Sequence, residues 1–148
     1  MENEKMKSNV PSKILFRTTS ILWGLWGVVH ILGGLSMLSV LSGGVKSLPE
    51  SVLVKMMGND MPLHIVPTLM EHNLNNTWFG LVILIGSFFV WKTNRNAVLF
   101  CSIVGGLAQL GYTIFIVFPG YSELPGVVMS FVVLAAIVFG MIAIKKSK

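Results

Sequence analysis

Charged residues and cysteine are scarce in this chain of 148 residues. Only 11% of the residues are charged and only one is cysteine, whereas 53% are hydrophobic and the mean hydropathy is +0.76. This composition excludes an ordinary soluble domain, and it excludes a disordered chain, because disorder requires low hydrophobicity. The single cysteine, Cys101, has no partner for a disulfide within the chain and is expected to pack as a small apolar group.

The chain also lacks the short motifs that mark common enzyme classes. It contains no Gly-rich phosphate loop, no nucleophile motif and no pair of carboxylates within its apolar stretches. Hydrolase and kinase activities therefore have no support, and the sequence leans away from an enzyme without excluding one. The net charge is +5, but the cations are spread over several connections rather than gathered on one face, so no nucleic-acid partner is expected.

Long apolar stretches are what the sequence has instead. They lie at about residues 14–41, 69–91, 97–118 and 125–144. A helix needs about 20 mainly apolar residues to cross a bilayer, and these runs are too long and too continuous for alternating barrel strands of about 10 residues. The sequence therefore predicts an all-α, integral membrane four-helix bundle that forms a single membrane domain over residues 1–148. In the second stretch the uninterrupted apolar part begins only at Thr77, so its helix is expected to begin earlier, near residue 69. Local thinning of the bilayer is the alternative.

The connections and the cations predict the topology. Short connections after the second and third stretches favour antiparallel neighbours and an up-down-up-down order. Of the eleven Lys and Arg residues, only Lys46 and Lys55 lie between the first and second stretches. The positive-inside rule then places both termini in the cytoplasm and residues 42–68 in an external loop of a multi-pass cell-membrane protein. The lipid bilayer is the expected partner.

His30 lies near the middle of the first apolar stretch, where an ionisable side chain is costly and usually faces the interior of a bundle. Steps of three and four residues place it on one helix face with Trp23, Gly27, Gly34 and Met37. Small residues on this face would let another helix approach closely and would leave a pocket around the imidazole. The alternative is a neutral histidine that serves only as a hydrogen-bonding contact between helices.

The third stretch offers a partner for His30. Gln109 lies at a comparable depth, so the sequence predicts a hydrogen bond between these two side chains, and the pair joins Tyr112 as candidate ligand-binding residues. By the same steps, one face of this stretch carries Ser102, Gly105, Gln109, Tyr112 and Ile116.

The densest polar group of the sequence is residues 71–76, with Glu71, His72, Asn73 and Asn76 as further candidate ligand-binding residues. One interpretation is the polar mouth of a small-molecule pocket. Another is a helix start at the membrane interface, capped by the asparagines. His64 with His72 and Glu71 would suit a transition metal, but the spacing matches no zinc motif, so no metal site is assigned.

Two segments carry a resemblance to known proteins. Residues 27–34, Gly-Val-Val-His-Ile-Leu-Gly-Gly, and residues 78–86, Trp-Phe-Gly-Leu-Val-Ile-Leu-Ile-Gly, resemble a group of small, uncharacterised four-helix bacterial membrane proteins, classed as domains of unknown function. The broad architecture is also similar to DoxX-like proteins. The resemblance covers most of the chain and implies a four-helix fold in a bacterial inner membrane. It implies no catalytic residue, and no cofactor is identified.

The function that these features favour is binding of a small molecule or lipid. The pocket would open outward between Glu71, His72 and Asn76 and descend toward His30 and Gln109. One alternative is a structural or assembly subunit whose glycine faces bind another membrane protein or a second copy of the chain. A metal or haem redox protein is a further alternative. A proton-coupled transporter would need a dimer, because four helices leave little room for alternating access.

Overall fold

The computed structural model describes residues 2–42, 65–120, 122 and 124–147, with side chains described from residues 11 and 66 onward in the first two helices. These residues form four long helices and no strand, which confirms the all-α fold class. The helices are α1 (Glu2–Ser42), α2 (Ile65–Trp91), α3 (Arg95–Tyr112) and α4 (Leu124–Lys146). A single π-helical segment, Thr113–Val117, follows α3 directly.

Each of these helices is long and apolar enough to cross a membrane. The candidate spans are Pro11–Ser42, Val66–Trp91, Arg95–Val117 and Leu124–Lys146. Large apolar side chains such as Leu32, Phe115 and Phe131 are exposed on the outside of the bundle, whereas Thr19 and Gln109 are buried inside it. A soluble protein seldom buries polar groups beneath so apolar an exterior. The arrangement suits a helical protein that crosses a membrane several times.

The second helix begins at Ile65, earlier than the predicted start near residue 69. Pro67 is compatible with this start, because the N–H groups of a first helical turn have no partner within the helix. The polar group at residues 71–76 consequently lies inside α2 rather than at its cap. The Asn73 amide donates to the Leu69 carbonyl oxygen at 2.7 Å, which is a bond within the helix, so the capping interpretation is wrong.

A sharp turn at Thr93 connects α2 to α3. The backbone N–H of Thr93 bonds the Val90 carbonyl at 2.8 Å, and that of Asn94 bonds the Phe89 carbonyl at 3.1 Å, which is the hydrogen-bond pattern of a Schellman motif. The Asn94 side chain then accepts from the first backbone N–H groups of α3 and caps that helix. Thr93 has φ of 61°, a left-handed conformation that is costly for a β-branched residue.

Replacement of Thr93 by glycine should therefore raise the free energy of unfolding by about 1 kcal/mol, because glycine adopts the left-handed conformation without a steric penalty. Thermal or denaturant unfolding in detergent would measure the change. Thr93→Ala is the control, since it keeps the Cβ that causes the strain and should bring no comparable gain. Equal stabilisation by both variants would rule out backbone strain as the cause.

The helices close into a ring. Helix α1 packs mainly against α2 and α4, and α3 packs against the same two helices. Trp23 and Trp26 of α1 are fully buried in the middle of the ring, and Trp23 lies directly over Gly105 of α3. Cys101 is buried as a free thiol beside Gly86, as expected of a small apolar group.

Glycines bring the backbones of α1 and α2 into contact. A Cβ atom on Gly27 would lie 2.7 Å from the Gly80 carbonyl oxygen, and a Cβ on Gly80 would lie 2.7 Å from the Gly27 carbonyl oxygen. A Cβ on Gly34 would meet the Thr77 hydroxyl group. Two turns before Gly27 on α1, the Ser20 hydroxyl donates to the Ser87 carbonyl at 2.6 Å. The close helix approach predicted at Gly27 and Gly34 is confirmed.

Replacement of Gly80 by alanine should lower the free energy of unfolding by about 1 to 3 kcal/mol, because the new methyl group can be accommodated only if the two backbones separate. Gly111→Ala provides a matched control. It is the same substitution in a helix, but a Cβ there would have no neighbouring atom within 4 Å, so it should be neutral or slightly stabilising. Equal losses at both positions, measured by unfolding in detergent, would contradict the close approach.

Candidate functional site

The interior of the bundle contains a hydrogen-bonded chain of polar side chains centred on Gln109. The Trp26 indole N–H donates to Gln109 Oε1 at 2.9 Å, and Gln109 Nε2 donates to the Ser130 hydroxyl at 2.9 Å. Gln109 is only 5% exposed. A buried amide without partners would be costly in an apolar interior, and here both of its polar atoms are satisfied by bonds that link α1, α3 and α4.

His30 does not bond Gln109, so this prediction is wrong. Instead, His30 Nδ1 lies 2.9 Å from the backbone carbonyl oxygen of Trp26, one turn earlier in α1. The imidazole also stacks on the Trp26 indole, with ring centroids 3.7 Å apart and an angle of 24° between the planes. Trp26 therefore stands between the two predicted partners and contacts both of them.

The contact with Trp26 fixes the hydrogen-bonding role of the imidazole. A carbonyl oxygen can only accept, so Nδ1 must carry the proton in this bond. In the neutral ring, Nε2 is then an unprotonated acceptor. His30 also lines an opening between the helices.

That opening is a cavity of about 410 Å³ to which all four helices contribute. It lies where the C-terminal part of α1 and the end of α3 meet the first parts of α2 and α4. The volume falls within the range of ordinary ligand pockets, about 300 to 1,000 Å³. None of the lining residues carries a carboxylate, an ammonium or a guanidinium group; they are Val29, His30, Gly33, Gly34, Met37, Asn73, Asn76, Gln109, Tyr112, Pro125, Gly126 and Met129.

The structure brings together most of the residues that the sequence selected. His30, Asn73, Asn76, Gln109 and Tyr112 all line the cavity, although they come from three different helices.

The other two selected residues lie elsewhere. Glu71 and His72 are exposed on α2 and do not line the cavity. The reason is the register of α2: Asn73, Asn76 and Gly80 follow one another by steps of three and four on the face toward α1. Glu71 lies on the opposite side of the helix, and His72 lies at the edge of that face. A ligand in this cavity would therefore be held by the asparagines of α2.

Two important residues were not selected from the sequence. Trp26 precedes His30 by four residues and therefore lies on the same helix face, which is the signal that the sequence offers for it. Ser130 is the second of these residues. A signal was present, because Ser130 is the one hydrogen-bonding side chain between residues 126 and 144, and a lone hydroxyl in such a stretch commonly bonds a neighbouring helix.

A second polar region lies deeper in the bundle. Among the described residues, three buried side-chain atoms have no hydrogen-bond partner: Thr19 Oγ1, Trp23 Nε1 and Ser102 Oγ. Thr19 lies one turn from Trp23 on α1, and Trp23 packs on Gly105, which lies one turn from Ser102 on α3. Polar groups thus continue along the interior beyond Gln109.

The metal site considered from the sequence would combine His72 and Glu71 with His64. No group of three or more His, Cys, Asp or Glu side chains that could hold a metal ion occurs in the part of the chain that the structure describes. His64, the other histidine of the suggested set, lies outside the described residues.

Comparisons of the chain with protein-family models, with curated proteins and with solved structures give no match in any of the three. The resemblance to DoxX-like proteins therefore stays a prediction.

A double-mutant cycle can test the centre of this network. Trp26→Phe and Gln109→Leu should each destabilise the bundle, and their interaction free energy should be about 0.6 to 1.7 kcal/mol, the range found for hydrogen bonds between membrane helices. The corresponding cycle with His30→Phe and Gln109→Leu should give a smaller value, because those two side chains share no hydrogen bond. A larger coupling for the histidine pair would contradict the geometry described above.

Proposed function

We propose that this protein belongs to a bacterial cytoplasmic membrane, with its helices in up-down-up-down order and both termini in the cytoplasm. The contacts between α1 and α2 support this order: Ser20 pairs with Ser87, whereas Gly34 meets Thr77. A residue later in α1 therefore contacts a residue earlier in α2, as expected for two antiparallel helices. The distribution of Lys and Arg supports the cytoplasmic placement of the termini. The cavity end of the bundle then faces the outside.

We further propose that the protein binds an uncharged small molecule or lipid in the cavity of about 410 Å³. The observation that carries this proposal is the lining itself, which is polar without being charged and is built by all four helices. An ionic ligand would find no counter-charge there, and its desolvation would be costly. An uncharged amphiphile avoids that cost.

The hydrogen-bonding groups favour a ligand that carries a donor such as a hydroxyl. His30 Nε2 is an acceptor in the neutral ring, and Asn73 Oδ1 is a further acceptor because its amide nitrogen is occupied by the Leu69 carbonyl. The Asn76 amide, which can both donate and accept, lines the same cavity. A hydroxyl group could satisfy these atoms, while Val29 and Met129 offer apolar contact to the rest of the molecule.

The test is native mass spectrometry of the full chain extracted in mild detergent. Wild type should carry a discrete adduct, and His30→Phe or Asn76→Leu should weaken its retention about tenfold, as expected for loss of one good hydrogen bond. His72→Ala is the matched control, because His72 is adjacent to Asn73 in sequence but does not line the cavity. This variant should retain the adduct.

Two outcomes would contradict the proposal. If wild type carries only heterogeneous bulk lipid, the cavity holds no specific ligand, and an assembly role becomes the better hypothesis. If His72→Ala loses the adduct while His30→Phe keeps it, the ligand lies on the outer face of α2 instead.

A further inference from the structure

A second opening lies at the other end of the bundle. It is a cleft of about 260 Å³ between the beginning of the α1 span, the turn after α2 and the end of α4. Five of its six lining residues are polar or charged, unlike the apolar exterior around it; the six are Ser12, Lys13, Phe16, Thr93, Arg95 and Ser147. The polar cleft thus lies at the end of the bundle where the spans of α1 and α3 begin and those of α2 and α4 end.

Arg95 is held in place within this cleft. Its Nε atom donates to the Ser147 hydroxyl at 3.1 Å, and Nη2 donates to the Ser147 carbonyl oxygen. A guanidinium group has five N–H donors, so others remain for a ligand. Arg95 is also the first residue of α3, where the helix dipole adds a positive potential.

Among the side chains that the structure describes, the cleft concentrates positive charge without a compensating carboxylate. Lys13 and Arg95 come from different helices and line the same space. Among the side chains that the structure describes, the acidic one is Glu71, which lies on α2 near the cavity at the other end. No described carboxylate therefore neutralises the two cations.

We propose that this cleft binds a phosphate group, supplied by the headgroup of an anionic lipid or by phosphate in solution. Guanidinium and ammonium groups bind phosphate oxygens through charge-assisted hydrogen bonds, and the planar guanidinium can bind two oxygens together. The Thr93 hydroxyl can donate a further bond. The cleft lies at the ends of the candidate spans, where lipid phosphates lie in a bilayer, and Phe16 gives it an apolar wall. This site is independent of the cavity proposed above to hold an uncharged ligand.

A basic surface alone would attract anionic lipids without any defined site, and the chain contains a control for that effect. Lys145 and Lys146 lie in the last turn of α4, at the same end of the bundle, and both are exposed. They do not line the cleft. Removing these two lysines takes away the same formal charge as removing Lys13 and Arg95.

The experiment compares lipid retention by the full chain in detergent, using native mass spectrometry with phosphatidylglycerol and with diacylglycerol of the same acyl chains. Lys13→Gln with Arg95→Gln should weaken phosphatidylglycerol binding at the first site about tenfold or more, whereas Lys145→Gln with Lys146→Gln should change it about twofold or less. Diacylglycerol, which lacks the phosphate, should not compete in any variant.

Inorganic phosphate, titrated in the absence of added lipid, separates the two sources. Binding of phosphate that depends on Lys13 and Arg95, with no preference for phosphatidylglycerol, assigns the cleft to phosphate in solution. Preference for the lipid assigns it to a headgroup. Equal weakening in both double variants, or no weakening in either, would overturn the proposal. Lys13→Gln alone, which leaves the Arg95 contacts with Ser147 intact, keeps the test valid if loss of Arg95 impairs folding.

Discussion

The hydrogen bond from the Trp26 indole to Gln109 is the interaction on which the interior of this protein depends. Gln109 also bonds Ser130, so one buried amide connects three of the helices. The same indole stacks on the His30 ring, and the backbone carbonyl oxygen of Trp26 accepts the hydrogen bond that fixes the proton on His30 Nδ1. In an apolar interior, loss of any of these bonds would leave a buried polar group without its partner, which is costly. The shape of the cavity and the chemistry of its histidine therefore follow from where Trp26 is held.

The two ends of the bundle differ in the kind of polarity they present. At one end, the cavity offers amides, an imidazole and a phenol, with no charged group among its lining residues. At the other end, the cleft offers an ammonium and a guanidinium group. A molecule that is attracted to one opening is therefore poorly suited to the other. The two proposals thus assign ligands of different chemistry to the two ends: a phosphate group to the cleft and an uncharged molecule to the cavity.

The sequence predicts the helices and much of the cavity, because both follow from local patterns. Apolar length determines the spans, and steps of three and four residues place His30 on the interior face of α1 and Gln109 on that of α3. What these patterns do not contain is the relative rotation and translation of the helices. That register decides that Gln109 meets Trp26 rather than His30, and that Asn73 instead of His72 faces the cavity. Residues such as Lys13 and Arg95, distant in sequence, meet only after all the helices have packed.

The contact between Gly27 and Gly80 also bears on how such a chain can change by mutation. Each glycine faces the backbone of the other at a distance that excludes a Cβ atom. Usually a larger side chain at one position can be compensated by a smaller one opposite. Here both positions already carry the smallest residue, so no exchange at the partner position can restore the fit. A change at either glycine would have to be accommodated by the backbones themselves, and Ser20 and Ser87 would then be drawn apart along with them.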